Sequence, residues 1–373
     1  MTVPAVSDNS LVSRWWWTVD RWTLLAVGLL AALGAVLVMA ASPAVADRIG
    51  LASFHFVQRQ LIYLGPALAL IVGVSLLSPL AVRRLATLCL LAAVLLMLTA
   101  LVFGVEINGA RRWISFGPFV IQPSEFVKPC LAVITAWMFS EQVRSPGFPG
   151  QLISALLLVI VLALLMAQPD FGMAVVVAAV WFAQFFMAGV AMAWIGGLAF
   201  LSLAGAATAY ALLPHVASRI DRFLDPAAGD SFQVDTSLEA FRSGGLFGRG
   251  PGEGTVKSVL PDAHTDFIFA VAGEEFGLIV CLFIVLLFAF IVLRGFSRML
   301  GEPSYFVLLA TSGLLVQFGM QAVINMGVNL RLMPAKGMTL PFISYGGSSL
   351  IALALTMGMV LAFTRRRDGR RPV

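Results

Sequence analysis

Ten mainly apolar stretches follow one another along the chain, at about 22–41, 60–78, 84–104, 124–140, 151–168, 170–187, 190–213, 264–293, 304–326 and 338–363. A helix that crosses a bilayer needs roughly 20 such residues, because each adds 1.5 Å across a hydrocarbon core about 30 Å thick. The pattern predicts an all-α polytopic membrane protein with about ten transmembrane helices. The fourth run is short and carries charge, so its ends are the least defined. Residues 214–263 form the one long polar stretch, between the seventh and eighth spans. Within it Val234, Leu238 and Phe241 recur at i, i+4 and i+7, one face of a short helix suited to the lipid interface. The expected organisation is an N-terminal segment over 1–21, a transmembrane domain over 22–363 that includes the 214–263 loop, and a basic tail over 364–373.

Composition sharpens this reading. Mean hydropathy is +0.95, with 60% hydrophobic and 12% charged residues, which excludes a soluble globular chain with a polar surface. Cys89, Cys130 and Cys281 each sit inside an apolar run, excluding a disulfide framework or zinc cluster on spacing. His55, His215 and His264 form no HExxH pair. No tightly bound cofactor is expected, and nothing points to nucleic acid. A divalent cation, magnesium or manganese, held weakly on carboxylate and phosphate oxygens stays open. Near the N-terminus, Arg14 and Arg21 precede an apolar run ending in Ala44-Val45-Ala46, a look-alike of a signal cleavage site. That run is longer than a usual signal core, so an uncleaved first span is expected. Trp15, Trp16, Trp17 and Trp22 then read as an interfacial aromatic anchor.

An even span count puts both termini on one side. That side collects Arg14, Arg21, Arg83, Arg84, Arg144, Arg294, Arg298 and the arginines of the tail, 12 of the 24 Lys and Arg. The long loop is discounted under the positive-inside rule, and this tips the balance toward a cytoplasmic tail. Basic residues on the opposite face are informative in themselves: Arg111, Arg112, Lys128, Arg331 and Lys336. They are either snorkelling or ion-paired side chains, or the lining of an extracytoplasmic anion site of the kind a diphosphate requires.

The polar knots hold the candidate chemistry. Asp266 stands where the long loop re-enters apolar sequence, and an ionisable group at a membrane boundary is a functional-site hypothesis. Either Thr265 or Asp266 caps the eighth helix, or Asp266 is a base in a partly dry site that takes a proton from a hydroxyl. Glu274 and Glu275, deeper in that span, are a structural hydrogen-bonding pair or part of the site. Glu125 and Lys128 stand at i and i+3, so they meet on one helix face, as a buried pair or as a substrate contact. Gln168 to Gly172 reads as a tight turn between spans. Gly244 to Gly254 holds six glycines; it lacks the strand and the Gly-Lys-Ser/Thr of a nucleotide loop, and reads as a flexible loop or a close approach to a ligand. Lys336 to Ser349 mixes helix breakers and hydroxyls at membrane depth, where broken backbone must face protein or a wet cavity.

These motifs, in order NGARRWISFGPFVIQPSEFVKP, AQPDFG, FLDP, LPDAHTDFIFAVAGEEFG and MPAKGMTLPFISYGGSS, run from Asn108 to Ser349. Together the chain resembles the SEDS family of shape, elongation, division and sporulation proteins. The Asn108-Gly109-Ala110 and Lys336-Gly337 steps resemble its division branch more than its elongation branch. Asp262 stands where many relatives carry glutamate. The resemblance implies a peptidoglycan glycosyltransferase that polymerises lipid II into glycan strands at the outer face of the bacterial inner membrane, at the septum. It implies Asp266 as the catalytic carboxylate, with Arg111, Arg112, Glu125, Lys128, His264, Thr265, Lys336, Ser344, Tyr345 and Ser348 as substrate-binding candidates. A cognate class B penicillin-binding protein and other division membrane proteins are the implied partners. Three rival readings stand: an elongation-type polymerase, a lipid II flippase and a non-catalytic division scaffold. A flippase is expected to show an inverted repeat with mid-membrane polar residues; here the knots gather at the outer ends of spans.

Overall fold

The structure is a computed structural model; it describes residues 11–366 except 108, 118, 190–191, 213, 225–231 and 335–336. A short helix α1 (Leu11–Thr18) leads into α2 (Arg21–Arg48), α3 (His55–Ser75) and α4 (Pro79–Phe103). Three strands follow, β1 (Val105–Ile107), β2 (Ala110–Phe116) and β3 (Phe119–Ile121). Then come α5 (Pro123–Arg144), α6 (Gly150–Ala167), α7 (Phe171–Met187), α8 (Met192–Leu212), α9 (Pro214–Leu224) and α10 (Phe232–Gly244). The chain closes with α11 (Ile268–Met299), α12 (Tyr305–Asn329) and α13 (Gly347–Thr364). Among the described residues, seven helices are long and apolar enough to cross a membrane: α2, α3, α4, α6, α11, α12 and α13. Each apolar run of the sequence falls on a helix. The last run begins its helix nine residues later than expected, because Gly337, Pro341 and Gly346 interrupt the backbone before Gly347.

Helix α5 explains the short, charged fourth run. Almost every residue from Pro123 to Phe139 is buried in protein, and it packs against α4, α6, α7, α12 and α13. A central helix does not need the uniformly apolar surface that lipid demands, so Glu125 and Lys128 are tolerated there. The antiparallel sheet β1–β2–β3 is a departure from the all-helical expectation. Ile114 pairs with Ile121 and Glu106 with Arg111; β1 and β3, at three residues each, are too short to announce themselves by alternation.

At one end of the bundle the two described chain ends meet. The backbone N–H of Arg366 donates to Thr18 O at 3.0 Å. Asp20 lies between Arg294, at 2.8 Å, and Arg298, at 3.3 Å. Burial raises the Asp20 carboxyl, but the hydrogen bond from Arg294 and the charges of Arg298 and Arg294 outweigh it and hold it below the ordinary carboxylate value. Trp15 is buried and donates to Ser75 Oγ at 2.7 Å. It is therefore a packing residue, while Trp16, Trp17 and Trp22 stay exposed as an anchor requires.

The glycine-rich stretch is an ordered part of the fold. Helix α11 breaks at Gly277, with φ 76° and ψ −177°, a conformation that side chains resist. The carbonyls of Glu274 and Glu275 freed by the break accept from Arg249 N and Gly250 N, each at 3.0 Å, and Leu278 N donates to Gly245 O at 3.0 Å. The Glu274 carboxylate accepts from the backbone N–H groups of Thr255, Val256 and Lys257 at 2.6, 2.7 and 2.9 Å. Glu275 pairs with Lys257 and accepts from Gly252 N at 3.0 Å. Both acids are thus structural: they anchor the loop to the kinked helix. Helix α10 forms where the loop was expected to hold one, and it packs on α11. Thr236, Ser237 and Ala240 are its buried face, Phe241 meets Phe269 with ring centroids 5.5 Å apart, and Ser237 Oγ donates to Asn329 O at 2.8 Å.

A Cβ added at Gly277 would come within 2.4 Å of Gly248 N. Replacing Gly277 by Ala should cost on the order of 2 kcal/mol or more through strain and lost loop contacts. Thermal unfolding in detergent checks this; an unchanged melting temperature contradicts the docking of the loop on the break.

Candidate active site

At the other end of the bundle, residues 261–267 form a series of turns before α11 begins at Ile268. Thr265 N and Phe267 N both donate to Asp262 O, at 3.0 and 3.2 Å. The backbone carbonyl of Asp266 then accepts two side-chain donors, Asn325 Nδ2 and Asn329 Nδ2, each at 2.9 Å. Asn329 Oδ1 accepts from Ala270 N at 3.1 Å, so it is Asn329 that caps α11. The helix-cap reading of Thr265 and Asp266 is replaced: the N-cap residue is Phe267, which has no side-chain cap. Asp266 itself is partly buried, and its Oδ2 lies 2.8 Å from the position a Cβ on Gly337 would occupy. The glycine is what leaves room for the carboxylate.

A second, non-helical segment, 337–346, lies against this turn. Ser344 Oγ donates to Thr265 O at 2.5 Å and accepts from Leu340 N at 2.7 Å. Tyr345 N donates to His264 O at 2.9 Å. Asn325 Nδ2 also donates to Met338 O at 2.6 Å, so one side chain holds both segments. The rings of His264 and Tyr345 flank Phe56 of α3, with centroids at 4.1 and 5.1 Å. Burial, with the Arg48 charge nearby, lowers His264 from 6.5 to about 4, so it is a neutral ring at physiological pH. Burial pushes the Tyr345 phenol up, while Arg59 beside its hydroxyl pulls the other way.

The third element is a buried polar chain from α5. Lys128 Nζ stands 2.8 Å from Glu125 Oε2 and donates to Gln321 Oε1 at 3.0 Å. Gln321 Nε2 in turn donates to Thr339 O at 3.1 Å, and Thr339 and Ser349 share a hydroxyl hydrogen bond of 2.6 Å. Ser348 Oγ accepts from Gln122 N at 3.0 Å and donates to Val120 O at 3.1 Å, tying α13 to β3. His264, Thr265, Asp266, Ser344 and Tyr345 are therefore brought together, and Glu125 and Lys128 join them through Gln321.

The outer basic residues are dispersed among separate partners. Arg111 pairs with Glu106 at 3.2 Å on the exposed hairpin. Arg112 donates to Gln168 O at 2.9 Å and Pro169 O at 2.7 Å and stands 3.4 Å from Asp170, which pins the turn between α6 and α7. Arg331 pairs with Asp235 of α10 at 2.9 Å. Lys336 lies outside the described residues, as do Asn108, Asp225 and Pro226 of the sequence motifs.

Two features were passed over in the sequence. Gln317, Gln321, Asn325 and Asn329 recur every four residues along α12, one helix face, and three of them build the network above. Arg59, between Gln58 and Gln60 just before the second apolar run, stands beside Tyr345. The four-residue spacing was visible; the position of Arg59 needed the packing of α3 against α13.

Comparison with known proteins shows the family. The family model described as "Cell cycle protein", covering FtsW, RodA and SpoVE, matches residues 21–368. The chain belongs to this family. It is 47% identical over 366 residues to a Caulobacter vibrioides protein named probable peptidoglycan glycosyltransferase FtsW, covering 98% of this chain and 94% of the relative. It is 34% identical over 345 residues to stage V sporulation protein E of Bacillus subtilis, covering 90% and 94% of the two chains. Among solved structures, it is similar to a chain of a peptidoglycan synthase complex that coordinates polymerization and crosslinking, with TM-score 0.76 and 31% identity over 93% of this chain and 97% of that one. It also resembles the rod shape determining protein RodA of Thermus thermophilus, with TM-score 0.68 and 31% identity over 95% and 99%. Membership in the SEDS family and its closeness to the FtsW branch thus follow from nearly full-length similarity.

Two predictions follow from the geometry. Replacing Gly337 by Val puts a branched side chain against the Asp266 carboxylate and should reduce family activity at least tenfold at unchanged melting temperature, measured side by side on purified protein. His264 gives a pH dependence of known sign. Above about pH 6.5 the ring is neutral in both states; below it the unfolded chain binds a proton that the folded site refuses until about pH 4. Stability is therefore lost as pH falls through that window, by at most roughly 3 kcal/mol. Melting curves from pH 7.5 to 4.5 should show the loss in the native protein, and a shallower one in His264→Phe.

Proposed function

We propose that this chain polymerises lipid II into glycan strands at the outer face of the bacterial inner membrane, during septal wall synthesis, with Asp266 as the general base. The coarser statement is direct. Relatives that match over nearly the whole chain carry the name peptidoglycan glycosyltransferase, and the chain is one. The observation that supports the finer reading is the held carbonyl of Asp266: Asn325 and Asn329 fix the backbone while Asn329 takes over the helix cap. The turn that carries the carboxylate is thereby fixed against the 337–346 segment, where Gly337 leaves room for it.

In the reaction the hydroxyl of one lipid-linked disaccharide gives its proton to the Asp266 carboxylate as its oxygen attacks the anomeric carbon of the other. The bond from that carbon to the polyprenyl diphosphate breaks, and the diphosphate leaves with the electron pair. One in-line displacement converts an α-linked diphosphate into a β-glycosidic bond, so no covalent enzyme intermediate is needed. A positioned base contributes typically 10²–10⁴-fold. The diphosphate charge needs donors in place before the bond breaks, and Arg59 beside Tyr345 and Lys336 next to Gly337 are assigned to it. A divalent cation held on a carboxylate and the diphosphate oxygens would add to this neutralising charge; no step is routed through one.

This reading places ten spans across the membrane, both termini in the cytoplasm and the 214–263 loop outside. In this reading a class B penicillin-binding protein supplies the crosslinking step as partner, supported by the likeness to a peptidoglycan synthase complex that couples polymerization and crosslinking, and other division proteins recruit the pair to the septum. The test is purified protein with its partner and lipid II, read by product gel. Asp266→Ala should lose polymerisation by more than 10²-fold while expression and melting are preserved. In the same assay Arg59→Gln should raise KM several-fold, and Arg59→Lys should partly restore it. Near-normal polymer from Asp266→Ala removes the assignment.

A further inference from the structure

Between α5 and α7, below the Glu125–Lys128 pair, lies a pocket of about 10 Å³ lined by Lys128, Thr135, Trp181 and Gln184 together with valines and an alanine. Its polar groups are all buried, Thr135 and Gln184 completely and Trp181 to 5% exposure. Yet Thr135 Oγ1, Trp181 Nε1 and Gln184 Oε1 each lack a hydrogen-bond partner among the described protein groups. Buried polar atoms are rarely left so, and three around one small pocket call for a ligand.

The chemistry of the lining says which ligand. Gln184 spends both amide hydrogens, on Ala132 O at 2.8 Å and Leu309 O at 3.1 Å, so its oxygen is left as an acceptor. The Trp181 indole is a donor only, and the Thr135 hydroxyl is either. Lys128 carries three N–H donors; one goes to Gln321 Oε1 at 3.0 Å, and the Glu125 carboxylate stands 2.8 Å away as its ion-pair partner. The pocket therefore offers two donors, one acceptor and one group of either kind. A water molecule has two of each, and its size matches, since on the order of 10–15 Å³ of such space holds one. An anion or a second cation has no such balance here.

We propose that this pocket is a binding site for an internal water that accepts from Trp181 and Lys128 and donates to Gln184 and Thr135. The water extends the polar chain of the candidate site, Ser349–Thr339–Gln321–Lys128, to the middle of α7. It gives Lys128 a further acceptor in a region where lipid supplies no hydrogen bonds. The inference does not rest on the assigned reaction.

The test uses shape-preserving variants of the full chain in detergent. Thr135→Val and Trp181→Phe each delete one partner of the water. If the pocket is wet, each should lower the melting temperature by on the order of 2 °C. If it is dry, each removes an unsatisfied polar group, and melting should stay or rise, which overturns the proposal. Should a variant fail to fold, hydroxyl-radical labelling of the native protein in H₂¹⁸O decides. An internal water generates radicals in place, so Trp181 should take up ¹⁸O despite its burial; an unlabelled Trp181 beside labelled exposed Trp17 overturns the proposal.

Discussion

Asn325 and Asn329 divide their hydrogen bonds among the carbonyls of Asp266, Met338 and Asn325 itself and the N–H of Ala270, and the rest of the site hangs on that arrangement. Two stretches of chain, 261–267 and 337–346, are non-helical where they border the apolar helices α11 and α13. Backbone there must be satisfied from within the protein. A polar face of α12 supplies the partners, and in doing so fixes where the Asp266 side chain emerges. Ser344 and Tyr345 complete the joint by reaching back to Thr265 and His264. The two irregular segments are therefore one unit, held by side chains of a third helix.

The same constraint accounts for the charges that do not react. A carboxylate inside a span is expensive unless several donors meet it. Glu274 meets three backbone N–H groups of the loop, and Glu275 meets Lys257 and Gly252. In exchange the loop receives fixed anchors, and the carbonyls released at Gly277 find partners of their own. Arg112 acts in the same way on the turn between α6 and α7. Charge in this membrane domain serves mostly to hold irregular backbone, and a smaller set is left facing the site.

Glu125 and Lys128 illustrate how local pairing is extended by the fold. Their i, i+3 spacing brings them together on one face, but the pair is closed into protein by five neighbouring helices. Gln321 then carries the polarity of the pair across to Thr339 and Ser349. Lys128 is thus a node between the core of the bundle and the broken segment before α13, which a surface ion pair worth little by itself would not be.

Much of the fold was legible along the chain because a bilayer imposes one crude rule, about 20 apolar residues per crossing, and each run that obeys it became a helix. The turn at Gln168–Gly172, the helix in the polar loop and the irregular stretch before α13 were also legible, since proline, glycine and spaced apolar residues act locally. Asp266 was marked out by its position at the end of the polar loop and by the motifs around it, and the structure sets its turn against the 337–346 segment. What only the tertiary structure decided was the employment of each polar residue. Thr265 and Asp266 gave up the helix cap because Asn329, 59 residues beyond Ala270, arrives first; Arg112 turned to Asp170; and α10 packed on α11. Apolar residues are sorted by solvent, a property that can be read one residue at a time. Hydrogen bonds and ion pairs need a particular partner at about 3 Å, and which partner stands there is settled only when distant parts of the chain pack.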